Sequence, residues 1–211
     1  MAKRVVYECI EEAPYYRAEV FEFKYFSGTF LPQVQKNVVL LHKLYMEKSD
    51  TQPLEVSTKS LQDTGIQLSA FNLKDNNGTT VECLFQAAKK FENGGPYTDI
   101  LEKTSREAKK DDRLRNSGKL VAFVKDGVEY PLVPKTAFYD WLYINTMIQH
   151  KDLCAQLGEF RAFTDIEFNP DRSINCQAEA VAIYCGLSRS GMLDRALASF
   201  DQFVSTVWGN N

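Results

Sequence analysis

The spacing of apolar residues changes along this chain, and each change marks an element. Arg4–Ile10 and Val20–Phe26 mix apolar and polar positions as short strands do, with Phe21, Phe23 and Tyr25 on one side of the second. An antiparallel pair is predicted near the N-terminus. From Pro32 the period lengthens: Val34, Val38, Leu41 and Tyr45 recur at helical spacing as far as Lys48, and Ser49–Pro53 ends the run. Glu55–Ser60 reads as a strand end passing into a polar loop. Thr79–Lys89 is again helical, with Val81, Leu84, Phe85, Ala88 and Phe91 on the apolar arc.

Asn93-Gly-Gly-Pro96 breaks the pattern, and Ser105 is placed to cap a further helix. Lys119–Val124 and Val128–Val133 flank Asp126-Gly127, a two-residue turn signal for a hairpin. Pro134 opens a helix that is apolar nearly all round through Phe138, Trp141, Leu142, Tyr143 and Ile144, with Asp140 the exception. Thr164–Phe168 alternates as a strand, and Asn175 is positioned to cap a helix over Cys176–Leu187, followed by another over Asp194–Val207. The predicted fold is a helix-dominated α+β single domain with short antiparallel strands and one hairpin. Its N-terminal strands and helix occupy 1–53, the motif-bearing core 54–177 and the C-terminal helices 178–211.

Composition narrows the function. With 25 basic and 28 acidic residues the net charge is −3, so the surface as a whole does not attract nucleic acid. Lys103–Lys119 departs from this: Lys103, Arg106, Lys109, Lys110, Arg113, Arg115 and Lys119 face only Glu107, Asp111 and Asp112. That patch suits a phosphate. The 5 cysteines are widely spaced, without a Cys-x-x-Cys pair, and read as reduced packed thiols. No stretch has the length of a signal peptide or membrane span, so a cytoplasmic, membrane-free protein is expected. The 2 histidines, His42 and His150, do not form a ligand pair; His42 is expected on a polar helix flank. No metal site, serine–histidine–aspartate triad or phosphate loop is indicated.

Acid–base chemistry therefore falls to carboxylates, lysines and tyrosines. Glu82, Gln86 and Lys89 stand at i, i+4 and i+7, which puts an acid, an amide and an amine on one helix stripe. Such a stripe is either a solvated face with a loose ion pair or a site for glycosyl chemistry. Asp165 and Glu167, expected on one strand face, either repel enough to hold one protonated or pair with Arg161 and Arg172. Tyr139 and its aromatic neighbours either stack on a base or fill the core. Asp140 needs a partner, in a pocket or at Lys135. Asn169–Gln177 is rich in groups that bind sugar hydroxyls and equally in turn residues.

Thr80-Val-Glu-Cys-Leu-Phe-Gln-Ala-Ala-Lys89 resembles the Thr-Val-Glu-His-x-x-Gln-Ala-x-Lys-Phe signature of the NADAR family, and Leu68-Ser-Ala-Phe71 is similar to its Leu-Ser-Asn-Phe. Thr104–Lys109 and Asp140-Trp141 look like further family segments. Glu167 and Asn175 match its C-terminal acid and asparagine, without the usual glycines. Over Leu54–Gln177, including Glu55–Ser60, Gly95–Asp99 and Phe163–Pro170, the chain is most similar to the DarT-associated NADAR antitoxins.

That resemblance implies an N-glycosyl hydrolase that removes ADP-ribose from guanine in single-stranded DNA or RNA, undoing a DarT-type toxin, with free ADP-ribose as product and no cofactor. It implies Glu82, Lys89 and Glu167 as catalytic residues. Ser69, Asn72, Gln86, Tyr97, Tyr139, Asp140, Asp165, Asn169 and Asn175 would hold substrate, and the local positive charge of Lys103–Lys119 gives its phosphates, or those of the strand backbone, to Arg106, Lys109, Arg113 and Arg115. Cys83 replaces the family histidine, so no role of that histidine carries over. Two other functions are compatible: a small-molecule N-glycosidase acting on ribosylated pyrimidine intermediates of flavin synthesis, and a module that binds ADP-ribose or a toxin without turnover.

Overall fold

The computed structural model describes residues 1–209. The chain opens with β1 (Ala2–Cys9) and β2 (Tyr16–Phe23), paired antiparallel from Ala2↔Phe23 to Cys9↔Tyr16. Helix α1 (Leu31–Met46) carries Pro32 in its first turn, one residue after its start, and β3 (Leu54–Glu55) and α2 (Asp63–Leu68) follow. Then come α3 (Val81–Ala87), β4 (Lys89–Phe91), a 3-10 turn over Thr98–Glu102, α4 (Ser105–Lys109) and α5 (Arg113–Asn116). The hairpin consists of β5 (Leu120–Lys125) and β6 (Val128–Tyr130), with Lys125 opposite Val128. Asp126 and Gly127 both take positive φ, 52° and 78°, as a primed two-residue turn requires. Helices α6 (Ala137–Met147) and α7 (Lys151–Gln156), strand β7 (Ala162–Thr164), and helices α8 (Gln177–Arg189), α9 (Leu193–Leu197) and α10 (Phe200–Trp208) complete the α+β fold.

Two sheets result, one ordered β2-β1-β7-β3 and the other β4-β5-β6. In the first, β7 pairs antiparallel with β1 and parallel with β3. Alternation along β1 sends Val6 into a cluster with Phe21, Val34, Val38 and Leu41 of β2 and α1, and Val5, Tyr7 and Cys9 into the main core with α6 and α8. The first sheet is thus covered on both faces. Helix α2 comes close to β3 because Gly65 has no side chain: a Cβ there would lie 1.9 Å from the Glu55 carbonyl oxygen. No helix among the described residues is long and apolar enough to cross a membrane.

Several expected elements are altered. The signature helix stops at Ala87, not Lys89, because the second sheet captures the chain: Val124 N–H donates to the Ala88 carbonyl at 2.7 Å and Lys89 pairs with Phe123. The strand expected over Thr164–Phe168 ends where it should begin. The Asp165 carboxylate accepts the N–H groups of Glu167 and Phe168 at 3.0 and 3.3 Å and turns the backbone. Helix α4 is capped by Thr104 rather than Ser105, through a reciprocal box with Glu107. Cys176, not Asn175, holds the N-cap position of α8. The helix expected over Asp194–Val207 divides into α9 and α10 because the Ser199 hydroxyl accepts from Gln202 N–H and starts a new helix. His42 is not on a solvated flank: its Nε2 lies 2.8 Å from the Thr164 hydroxyl, and burial pushes its pKa down to about 4.

Candidate active site

Helix α3 is short and wrapped on every side. Val81 and Phe85 enter the main core, while Cys83 and Ala87 pack with Ile100 and Ala108. Its first turn is pinned by the Thr80 hydroxyl on Cys83 N–H and by Glu82 N–H donating to Ala70 carbonyl at 2.9 Å. Glu82 and Gln86 are nonetheless buried, so their stripe is not a solvated face. They line a cavity of about 220 Å³. Gln86 Nε2 donates to Glu82 Oε1 at 2.9 Å, and Gln86 Oε1 is buried with no partner. A buried amide oxygen left open on a cavity is available to a ligand N–H or O–H.

The remaining lining converges from distant segments: Ser69–Phe71, Lys109, Tyr139, Asp165, Glu167, Phe168 and Ser173–Asn175, with Gln177 at the first turn of α8. Gln177 ties two of them together, its Oε1 accepting from Ala70 N–H at 2.7 Å and its Nε2 donating to Asp165 Oδ2 at 3.0 Å. Burial, with the Glu167 charge second, raises the Asp165 pKa to about 7. Behind it Glu55 is fully enclosed; burial and Asp165 push its pKa up to about 8. Glu55 accepts from Ser57 Oγ at 2.5 Å, Thr164 Oγ1 at 2.6 Å and Ile166 N–H at 2.9 Å. Asp165 therefore stands between two acids, Glu167, whose charge raises it, and Glu55, which it raises in turn. Glu167 lies exposed on the cavity edge, 3.8 Å from Lys59.

Tyr139 meets Phe85 edge-on at 5.0 Å, and burial keeps its phenol protonated. Asn175 contributes a buried Oδ1 without a partner. Lys89 sits beside this cavity rather than on the helix stripe, its Nζ 4.7 Å from the Phe85 ring centre. Burial lowers its pKa to about 8, against the opposing pull of Glu82.

Other expected site residues lie elsewhere. Asn72 donates to the Ile66 carbonyl, Tyr97 bonds to Ser117, and Asn169 accepts from Asp171 N–H at 3.0 Å. Asp140 is wholly buried, pairs neither with Lys135 nor with the cavity, and neighbours Glu179 near Tyr7 and Tyr16. The basic segment divides: Arg113 is held by Asp99 and Asp111, Arg106 and Arg115 are exposed away from the cavity, and Lys109 alone of the four lines it, with Nζ 5.1 Å from the Phe71 ring. Sequence reasoning missed Glu55 and Gln177. An acid between buried Leu54 and Val56 was the available signal for the first.

Among the described residues no group of three or more histidine, cysteine, aspartate or glutamate side chains is arranged to hold a metal. Cys83 faces away from the cavity, its Sγ donating to the Lys103 carbonyl. No curated protein matches the chain. The profile of the DarT1-associated NADAR antitoxins matches residues 2–211, and the chain belongs to that family.

Proposed function

We propose that this antitoxin hydrolyses the N-glycosidic bond between ADP-ribose and a guanine base in single-stranded nucleic acid. The observation that carries the reading is a cavity uniting Glu82, Gln86 and Asp165, with Lys89 at its side, in a DarT1-associated NADAR antitoxin. Asp165 and Gln86 Oε1 offer acceptors to ribose hydroxyls. Cleavage breaks the bond from the anomeric carbon to the guanine amine, places positive charge on the sugar, and returns a proton to the departing nitrogen. The Glu82 carboxylate stabilises that charge or activates the water whose oxygen bonds to the anomeric carbon.

Lys89 has two chemically balanced roles. As an ammonium it gives the proton to the leaving amine. As a neutral amine it displaces guanine from the opened sugar and forms an imine that water then cleaves. A pKa near 8 makes both forms accessible at neutral pH. Lys109, a basic residue of the cavity lining, supplies the charge that this reading needs for the pyrophosphate of ADP-ribose. An unpaired or extruded base is required, because the scissile bond is unreachable inside a duplex.

The test is turnover. A single-stranded oligonucleotide carrying ADP-ribosyl guanine, incubated with a small fraction of its molar amount of protein, is expected to release ADP-ribose completely. Binding at one equivalent without release would make the protein a sequestering module instead.

A further inference from the structure

A second cleft, of about 490 Å³, adjoins the catalytic cavity and shares Phe85, Ile174 and Asn175 with it. Its apolar lining is Leu120, Phe123, Leu132 and Val133, and the Phe85 and Phe123 rings lie 5.4 Å apart. Its charged residues are Lys89, Lys135 and Arg172, and it contains no carboxylate. None of these three cations forms an ion pair among the described residues. Lys103 and Arg113, by contrast, are neutralised by Asp99 and Asp111. On a chain of net charge −3, unpaired cations around an apolar wall are the combination that binds a nucleotide: an apolar surface for the base and cations for its phosphates.

We propose that this cleft is the subsite for the modified guanine and its flanking strand phosphates; the assignment rests on the hydrolase reading above. The acids and amides of the first cavity suit the ribose, and Lys109 on that side suits the pyrophosphate. That orientation leaves the leaving base to the second cleft, with the scissile bond at the shared wall between Glu82 and Lys89. The buried, unpartnered Asn175 Oδ1 lies at this junction and needs a donor. The pairing edge of guanine presents N–H donors there. Ile174 and Val133 are 60% and 72% exposed, apolar rims against which neighbouring bases pack. Lys135 and Arg172 are both exposed and meet the backbone phosphates.

A purine and a phosphate also occur in the ADP half of the substrate, and binding without turnover separates the two sources. Affinity for an unmodified single-stranded guanine oligonucleotide and for free ADP-ribose is measured for the parent and for a Lys135→Ala/Arg172→Ala variant, whose exposed positions leave the fold intact. Oligonucleotide affinity is expected to fall about tenfold at low salt, and the slope of log K against log salt to shrink by about 1.4, ~0.7 for each lost contact. ADP-ribose affinity is expected to hold. Weakened ADP-ribose with unchanged oligonucleotide would overturn the assignment and give the cleft to the ADP half. No change in either would leave it without a nucleic-acid role. Neither readout uses catalysis, so a parent without hydrolytic activity would sink the reaction proposed above and leave this assignment to be judged on binding.

Discussion

The lining of the candidate active-site cavity has two origins, and the two differ in how they are held. Glu82 and Gln86 come from one turn of α3, and each leaves hydrogen-bonding capacity open: Glu82 has one amide partner, and Gln86 Oε1 has none. Asp165 is fastened by Glu167 N–H, Phe168 N–H and Gln177, with Glu55 braced behind it by Ser57, Thr164 and Ile166. A group already bonded to its own protein has less to give a transition state and more to give to geometry. On the proposed reaction the α3 group is accordingly the reactive one, and the Asp165 group the seat.

Substitutions can break that division. Glu82→Gln keeps shape and removes charge, and kcat is expected to fall by on the order of 10² or more with the melting temperature unchanged. Near-parental turnover would transfer the chemistry to Asp165 and Glu167. Lys89→Ala is expected to cost nearly as much, and the parent distinguishes its two roles. With Lys89 near pKa 8, kcat rises with pH towards a plateau above 8 if the neutral amine attacks, and falls above 8 if the ammonium donates. Borohydride trapping of a covalent adduct in the parent, absent from the variant, supports attack.

Smaller effects are expected from the seat. Asp165→Asn retains an acceptor for the turn but loses a charged contact to the sugar, so kcat/KM should drop about tenfold. Glu167→Gln removes the charge that, after burial, raises the Asp165 pKa. The acidic limb of the kcat/KM profile should then move to lower pH, and an unmoved limb would leave the Asp165 shift to burial alone.

The smallest change is expected at the sealed pair, Asp140 and Glu179. Neither Asp140 oxygen has a partner, and burial with the Glu179 charge raises its pKa. A raised folded-state pKa means this contribution to stability is whole below about pH 4 and erodes as pH climbs. Asp140→Asn should therefore gain about 1 kcal/mol at neutral pH, more in alkali and little in acid, with turnover unaltered. Thermal melts across pH measure it; lost activity at full stability would return Asp140 to the site.

The α3 side of the cavity was legible in the sequence because the helix brings its members together by local geometry. Glu82 and Gln86 are one turn apart, and the motif around them is specific. Lys89 was placed one element too far along the helix, since no periodicity within Thr79–Lys89 reveals that β5 will pair with it. The seat was only half visible. Asp165 stood out as an acid, but its turn depends on side-chain bonds to its own backbone, and Glu55 acquires meaning only from Thr164 and Ile166, at separations of 109 and 111 residues. Asp140 shows the converse, since a charged residue on an apolar helix marked burial without marking a site.

The sheet order carries a consequence for biosynthesis. Strand β7 lies between β1 and β3, so the segment from residues 162 to 164 closes a sheet whose other strands emerge from the ribosome long before it. Until then β1 presents an open edge, and Glu55 lacks the Thr164 and Ile166 bonds that stabilise it. Asp165 enters in the same step. A chain that stops short of β7 lacks the Asp165 side of the cavity, so on the proposed reading protection against the toxin begins only when residues 162–177 have been made and does not grow with length before that.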